Sequence, residues 1–67
     1  MWELYFGTQA NKELVEKFLS EQAARAKMVQ MIHNMGLNPH YYRYVGEPTD
    51  YFVDFGSWSK FFFIVKV

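Results

Sequence analysis

The chain is 67 residues long, with seven Lys or Arg balanced by seven Asp or Glu, no cysteine, and five Tyr, seven Phe and two Trp. That length holds one domain near the lower limit of what a single hydrophobic core stabilises, and the missing cysteines exclude disulfides and thiolate metal sites as reinforcement. Zero formal net charge argues against a long polybasic surface that binds DNA by counterion release, which leaves dense aromatic packing and oligomerisation as sources of stability.

In chain order, residues 2–6 alternate in the manner of a strand, with Trp2, Leu4 and Phe6 on one side and Glu3 and Tyr5 on the other. This start lacks the basic region and long apolar run of a signal peptide, and no stretch is long enough to cross a bilayer, so a soluble cytoplasmic domain without membrane attachment is expected. Gly7 to Ala10 form the next turn.

From Asn11 to Met35 there is neither Gly nor Pro, and the stretch predicts one long helix. Asn11 is placed to accept from the free N–H groups of the first turn, and Glu13 puts negative charge at the positive end. The pairs Glu13/Lys17 and Glu21/Arg25 have the favourable acid-first spacing of four. Gly36 suits a left-handed C-terminal cap, with Leu37 beyond it for the accompanying apolar contact.

Stepping at about 100° per residue gathers Leu14, Val15, Phe18, Leu19, Ala26, Val29 and Ile32 into the stripe expected to cover a sheet, with Gln22 and His33 beside it. A second apolar line, Ala24, Met28, Met31 and Met35, falls on the far side of this helix. Methionine adapts to irregular partners, so the line reads as a surface for another protein or a second copy. On that reading, replacing Met28 and Met31 together by Lys leaves the monomer folded and breaks association.

Asn38-Pro39 then redirects the chain, because the residue before proline avoids helix. His40 to Val45 reads as a strand, Gly46 to Asp50 as a turn, and Tyr51 to Phe55 as the second arm of an antiparallel hairpin. Residues 56–59 turn again, carrying Trp58. The last strand, Lys60 to Val67, has Phe61, Phe63, Val65 and Val67 on one face and Phe62 and Ile64 on the other. A strand apolar on both faces belongs at the centre of a sheet or under cover on both sides. The expected fold is a single α+β domain over residues 1–67: one long helix on a three- or four-stranded, mainly antiparallel sheet, in the order β-α-β-β-β.

Catalytic motifs are missing. There is no Gly-x-Ser-x-Gly elbow, glycine-rich phosphate loop or His-Glu-x-x-His pair, and Gly56-Ser57-Trp58-Ser59-Lys60 lacks the glycines that present successive amides to phosphate. His33 and His40 with Asp50 and Asp54 show no metal-ligand spacing, and Glu47 with Asp54 forms no evident acid–base pair. Neither an enzyme, a metal nor a cofactor is expected.

The most functional-looking run is His40-Tyr41-Tyr42-Arg43-Tyr44, since Tyr and Arg anchor interfaces through large area and a polar handle. The reading is a non-enzymatic protein-interaction module, such as a small adaptor, inhibitor or regulatory subunit, with a homodimer as one form. Its expected interface is Ala24, Met28, Met31 and Met35, then the sheet residues Tyr41, Arg43, Phe62 and Ile64, taken as outward-facing. The alternative is a small nucleic-acid-associated regulator that stacks bases on Tyr42 and Tyr44 beside Arg43.

Overall fold

A computed structural model describes all 67 residues. Five strands and one helix follow in the order β1 (Trp2–Gly7), β2 (Lys12–Phe18), α1 (Glu21–Asn34), β3 (Arg43–Glu47), β4 (Asp50–Asp54) and β5 (Phe61–Lys66). The class is the expected α+β. The order is β-β-α-β-β-β, however, and the sheet has five strands, all antiparallel, arranged β2-β1-β5-β4-β3.

The main correction concerns residues 11–35. Their first third is not helix but β2, which forms a hairpin with β1. Thr8 N–H donates to Asn11 O at 3.2 Å and Asn11 N–H donates to Thr8 O at 3.3 Å, closing a loop of Gln9 and Ala10. Within β2 the register shifts: Tyr5 pairs with Leu14 and Leu4 with Glu16, leaving Val15 as an extra residue in a bulge. The bulge exchanges the faces of the strand, so Leu14 lies on the side of Tyr5 whereas Phe18 lies on the side of Trp2. Glu13 and Lys17 are therefore not a helical pair, and Lys17 reaches Glu3 on β1 instead, at 3.7 Å.

The two hairpins share a device. Neither loop contains a non-glycine residue with positive φ, so neither uses the primed turns whose twist matches that of paired strands. A glycine just before each loop takes up the difference, Gly7 at φ +148° and Gly46 at φ +132°. A Cβ on Gly7 would stand 2.5 Å from Asn11 O, and one on Gly46 would stand 2.7 Å from Asp50 O.

The helix proper begins after Ser20, whose hydroxyl accepts from Ala23 N–H at 3.1 Å. It ends as expected at Gly36: Gly36 N–H donates to His33 O at 2.9 Å and Leu37 N–H to Ile32 O at 3.2 Å, the paired bonds of a Schellman cap. The helix lies over β1, β2 and β5. It buries Ala24, Met28 and Ile32 completely, with Val29 and Met31 packed at the margins, while Ala26 is exposed. Ile32 and Val29 keep the inner side expected of them and Met35 the outer, whereas Ala24 and Met28, expected outside, are buried and Ala26, expected inside, is exposed. The predicted stripe was oriented by Leu14, Val15, Phe18 and Leu19, none of which belongs to the helix.

Beneath the helix the sheet contributes Leu4, Phe62, Ile64, Tyr51 and Val53, joined by Phe55 just beyond β4. Phe62 and Ile64 are wholly buried there, so they face the core and not a partner. β5 takes the central position that its two apolar faces require, between β1 and β4. The chain ends meet at its C-terminus, where Val67 N–H donates to Met1 O at 2.9 Å.

Burial reverses the expected effect of lysine on the methionine line. Met28→Lys places a charge in the core and should abolish folding, and Met28→Ala should lower unfolding free energy by about 2–5 kcal/mol. Met35→Lys, at the exposed end of the line, should change it by less than about 0.5 kcal/mol. Urea unfolding followed by far-ultraviolet circular dichroism checks all three; equal tolerance of Lys at 28 and 35 contradicts the packing.

Candidate functional site

The structure does not bring the predicted interface together. Ala24, Met28, Phe62 and Ile64 lie in the core, Met31 packs at its edge, and only Met35, Tyr41 and Arg43 are exposed. Nor do Tyr42, Arg43 and Tyr44 form one stacking face. Tyr42 packs against the core, Arg43 donates to Asp54 Oδ2 at 3.3 Å, and the Tyr44 ring meets the Tyr51 ring edge-on with centroids 5.7 Å apart.

The largest organised surface is the side of the sheet turned away from the helix. Cross-strand register places Leu14, Tyr5, Phe63, Phe52 and Val45 in a single row running through all five strands. Phe61 and Val65 flank Phe63 along β5. No second layer of secondary structure covers this face. Its rings shield one another laterally, with Phe52 5.2 Å from Phe61 and 6.1 Å from Phe63, both tilted or edge-on. Lys12 lays its stem across them, with Nζ 4.4 Å from the Phe63 centroid and 5.4 Å from that of Tyr5.

This packing leaves Phe63 buried and its neighbours half-buried, while Leu14 at the β2 edge remains 46% exposed. A cleft of about 240 Å³ opens on the face beside Lys12, Phe63, Phe52, Val45, Glu47 and Asp50. Charges rim the aromatic row. Glu3 pairs with Lys17 and accepts from Tyr5 Oη at 2.8 Å, a bond that raises the Tyr5 pKa above its usual value. Across the sheet, Arg43 pairs with Asp54.

A second polar cluster joins the start of the helix to β4. Tyr51 Oη donates to Glu21 Oε2 at 2.6 Å and accepts from Arg25 Nε at 2.9 Å, and Arg25 Nη2 closes the ring to Glu21 Oε2 at 3.0 Å. The pair at spacing four, Glu21 and Arg25, is thus tied to the sheet through a tyrosine. The Arg25 guanidinium also lies 4.4 Å from the Tyr44 ring centroid. An open cavity of about 280 Å³ lies alongside, bounded by Glu47 and Pro48. Arg25 Nε and Nη2, Tyr51 Oη and Glu21 Oε2 are paired with one another, so the cluster acts as a clamp between helix and sheet.

A third surface sits at the helix C-terminal end, where Leu37, Pro39, Phe55 and the fully exposed Trp58 line a cavity of about 370 Å³. The exposed Tyr41 stands close by, its hydroxyl 3.9 Å from where a Cβ on Gly56 would lie. His33 and His40 are both exposed, and no three His, Asp or Glu side chains converge as metal ligands would. No helix is long and apolar enough to cross a membrane.

Reading the chain as sequence missed Tyr5, Leu14, Val45, Phe52 and Phe63 as one surface, because the row exists only once the five strands are in register. One signal was present: Gly7 and Asn11 have the same spacing as Gly46 and Asp50, which frame the hairpin that was expected. Compared with known proteins, the chain matches no family model, no curated protein and no solved structure.

The clamp has a pH signature. Burial pushes the Tyr51 hydroxyl up to about 12; its bond to Glu21 adds to the rise and its bond from Arg25 opposes it. An unfolded tyrosine ionises near pH 10, so between about 10 and 12 the folded chain retains a proton that the unfolded chain has lost, and stability falls as pH rises through that window. In urea unfolding from pH 9 upward, at about one-unit steps, wild type should lose its advantage over Tyr51→Phe across this interval. An advantage independent of pH contradicts the assignment.

Proposed function

We propose that this chain is a non-enzymatic protein-interaction module whose contact surface is the open face of the sheet. The observation that carries the reading is the unbroken row Leu14, Tyr5, Phe63, Phe52 and Val45, which no second layer covers. Contiguous apolar area of this kind, rimmed by charge, characterises protein-binding surfaces, and aromatic side chains supply much of the energy at such contacts. An adaptor, inhibitor or regulatory subunit uses such a face by occluding or bridging a partner's surface.

The ends of the row offer the cleanest test, since Leu14 is exposed and Val45 half-buried on the two outermost strands. The double variant Leu14→Lys, Val45→Lys should keep wild-type circular dichroism and lose association, read both as mass in solution and as proteins retained from cell extract. Met35→Lys, at the helix end, should retain both. Association unchanged in the double variant, or lost in Met35→Lys, overturns the choice of surface.

A further inference from the structure

The free edge of β3 is complementary to itself, and we infer that it pairs with β3 of a second copy of this chain, antiparallel, across a twofold axis that passes through Val45 perpendicular to the sheet. The two sheets then become one, joined β3 to β3. This contact uses the edge of the sheet and stands independently of the open face as a docking surface.

An outermost strand offers unpaired N–H and C=O groups to any strand that can lie beside it. At the other edge, β2 is interrupted by its bulge and carries Lys12, Glu13, Glu16 and Lys17, features that oppose strand addition. β3 pairs with β4 without a bulge, and the helix lies over β1, β2 and β5, well away from it.

Which groups of β3 point outward follows from its turn. In the first hairpin Thr8 and Asn11 exchange two bonds, so the next pair, Gly7 and Lys12, exchanges none; a Cβ on Gly7 would stand 2.5 Å from Asn11 O and 2.8 Å from Lys12 Cα. A Cβ on Gly46 would meet Asp50 O and Tyr51 Cα in the same way, at 2.7 and 3.0 Å. Glu47 with Asp50 is therefore the bonded pair and Gly46 with Tyr51 the unbonded one. Alternation makes Tyr44 the next unbonded residue. Tyr44 and Gly46, both exposed, thus turn their N–H and C=O away from β4.

Matching outward groups with outward groups sets Tyr44 opposite Tyr44, Gly46 opposite Gly46, or each opposite the other. Only the last sets Arg43 opposite Glu47, twice per dimer, with Val45 meeting Val45 at the axis. The first leaves Arg43 opposite Val45. The second leaves Glu47 opposite Val45 and sets Tyr44 against Pro48, which has no N–H. In-register parallel pairing would set Arg43 beside Arg43.

Within one chain Glu47 stands directly opposite Asp50, a like-charged pair, and neither makes an ion pair. Arg43 of the second copy supplies the cation. Its guanidinium holds Asp54 through Nη2 alone, at 3.3 Å, and has further donors for Glu47. The next neighbours cancel: Arg43 attracts Asp50 of the second copy while Asp54 repels its Glu47. On the helix side Tyr44 stands opposite Gly46, whose missing side chain leaves room for the ring beside the cavity of about 280 Å³. One strand pair is a small contact, so association is reversible and rises with concentration.

Sedimentation equilibrium over a concentration series, with amide hydrogen exchange on the same samples, tests the proposal. Wild type should approach twice its 8.0 kDa chain mass, and the Tyr44 and Gly46 amides should gain protection as it does. Arg43→Glu and Glu47→Arg should each weaken self-association roughly tenfold, because two attractive contacts become repulsive. Their equimolar mixture should recover dimer, since each then supplies the charge the other lacks, and recovery also shows that both are folded. Leu14→Lys, on the far edge strand, should leave the mass unchanged; if it alone loses the proteins retained from extract, the two surfaces are distinct. A wild type monomeric at every concentration, or a dimer that protects neither amide and ignores both charge variants, overturns the β3 pairing and leaves the open face to be decided by the extract experiment.

Discussion

The constraint on which the structure depends is the two-sided apolar character of β5. Phe62 and Ile64 leave water only if something lies over them, and α1 does so with Ala24, Met28 and Ile32. Because alternate residues of a strand point to opposite faces, burying Phe62 and Ile64 turns Phe61, Phe63 and Val65 to the side the helix does not reach. Placing a hairpin on each side of β5 then widens both surfaces: one becomes the core and the other the open row. A chain this small has no further element to close that second face.

The arrangement also explains how a domain of this size holds together without disulfides. Both edge strands belong to short hairpins, each relieved by a glycine at its closing turn, and the chain ends are joined at β5. The Glu21, Arg25 and Tyr51 ring fixes the start of the helix to β4, a strand the helix backbone itself does not approach closely. On the open face, lateral ring contacts and the Lys12 stem reduce exposure without supplying a layer. These features stabilise the monomer and leave Leu14 the most exposed member of the row.

How much of this was legible in the sequence depended on whether a signal was local. The Schellman cap at Gly36, the β3–β4 hairpin and the central place of β5 follow from residues close in sequence or from one strand's own alternation. The β1–β2 hairpin did not, for a definite reason: Leu14, Val15, Phe18 and Leu19 have the spacing of a helical stripe, which hides a strand whose bulge at Val15 breaks the alternation and sends Leu14 and Phe18 to opposite faces. Counting those four as helix rotated the expected inner face and sent Ala24 and Met28 outward. The candidate surface was legible only in part. The surplus apolar face of β5 was visible, but Phe62 and Ile64 were assigned to it, because which side faces the helix is decided by packing across strands. Tyr5, Phe52 and Val45 join Phe63 only through the pairing of residues distant in the chain.

The central claim, that the open sheet face is buried against another molecule, is tested most directly by the paramagnetic relaxation that a soluble gadolinium chelate causes in the side-chain signals of the labelled chain, alone and with the proteins it retains from cell extract. The account predicts that Leu14 and Val45 methyl groups and the rings of Tyr5 and Phe52 lose relaxation when the complex forms. Protection confined to Trp58, Leu37 and Met35 would contradict it and move the interface to the end of the helix.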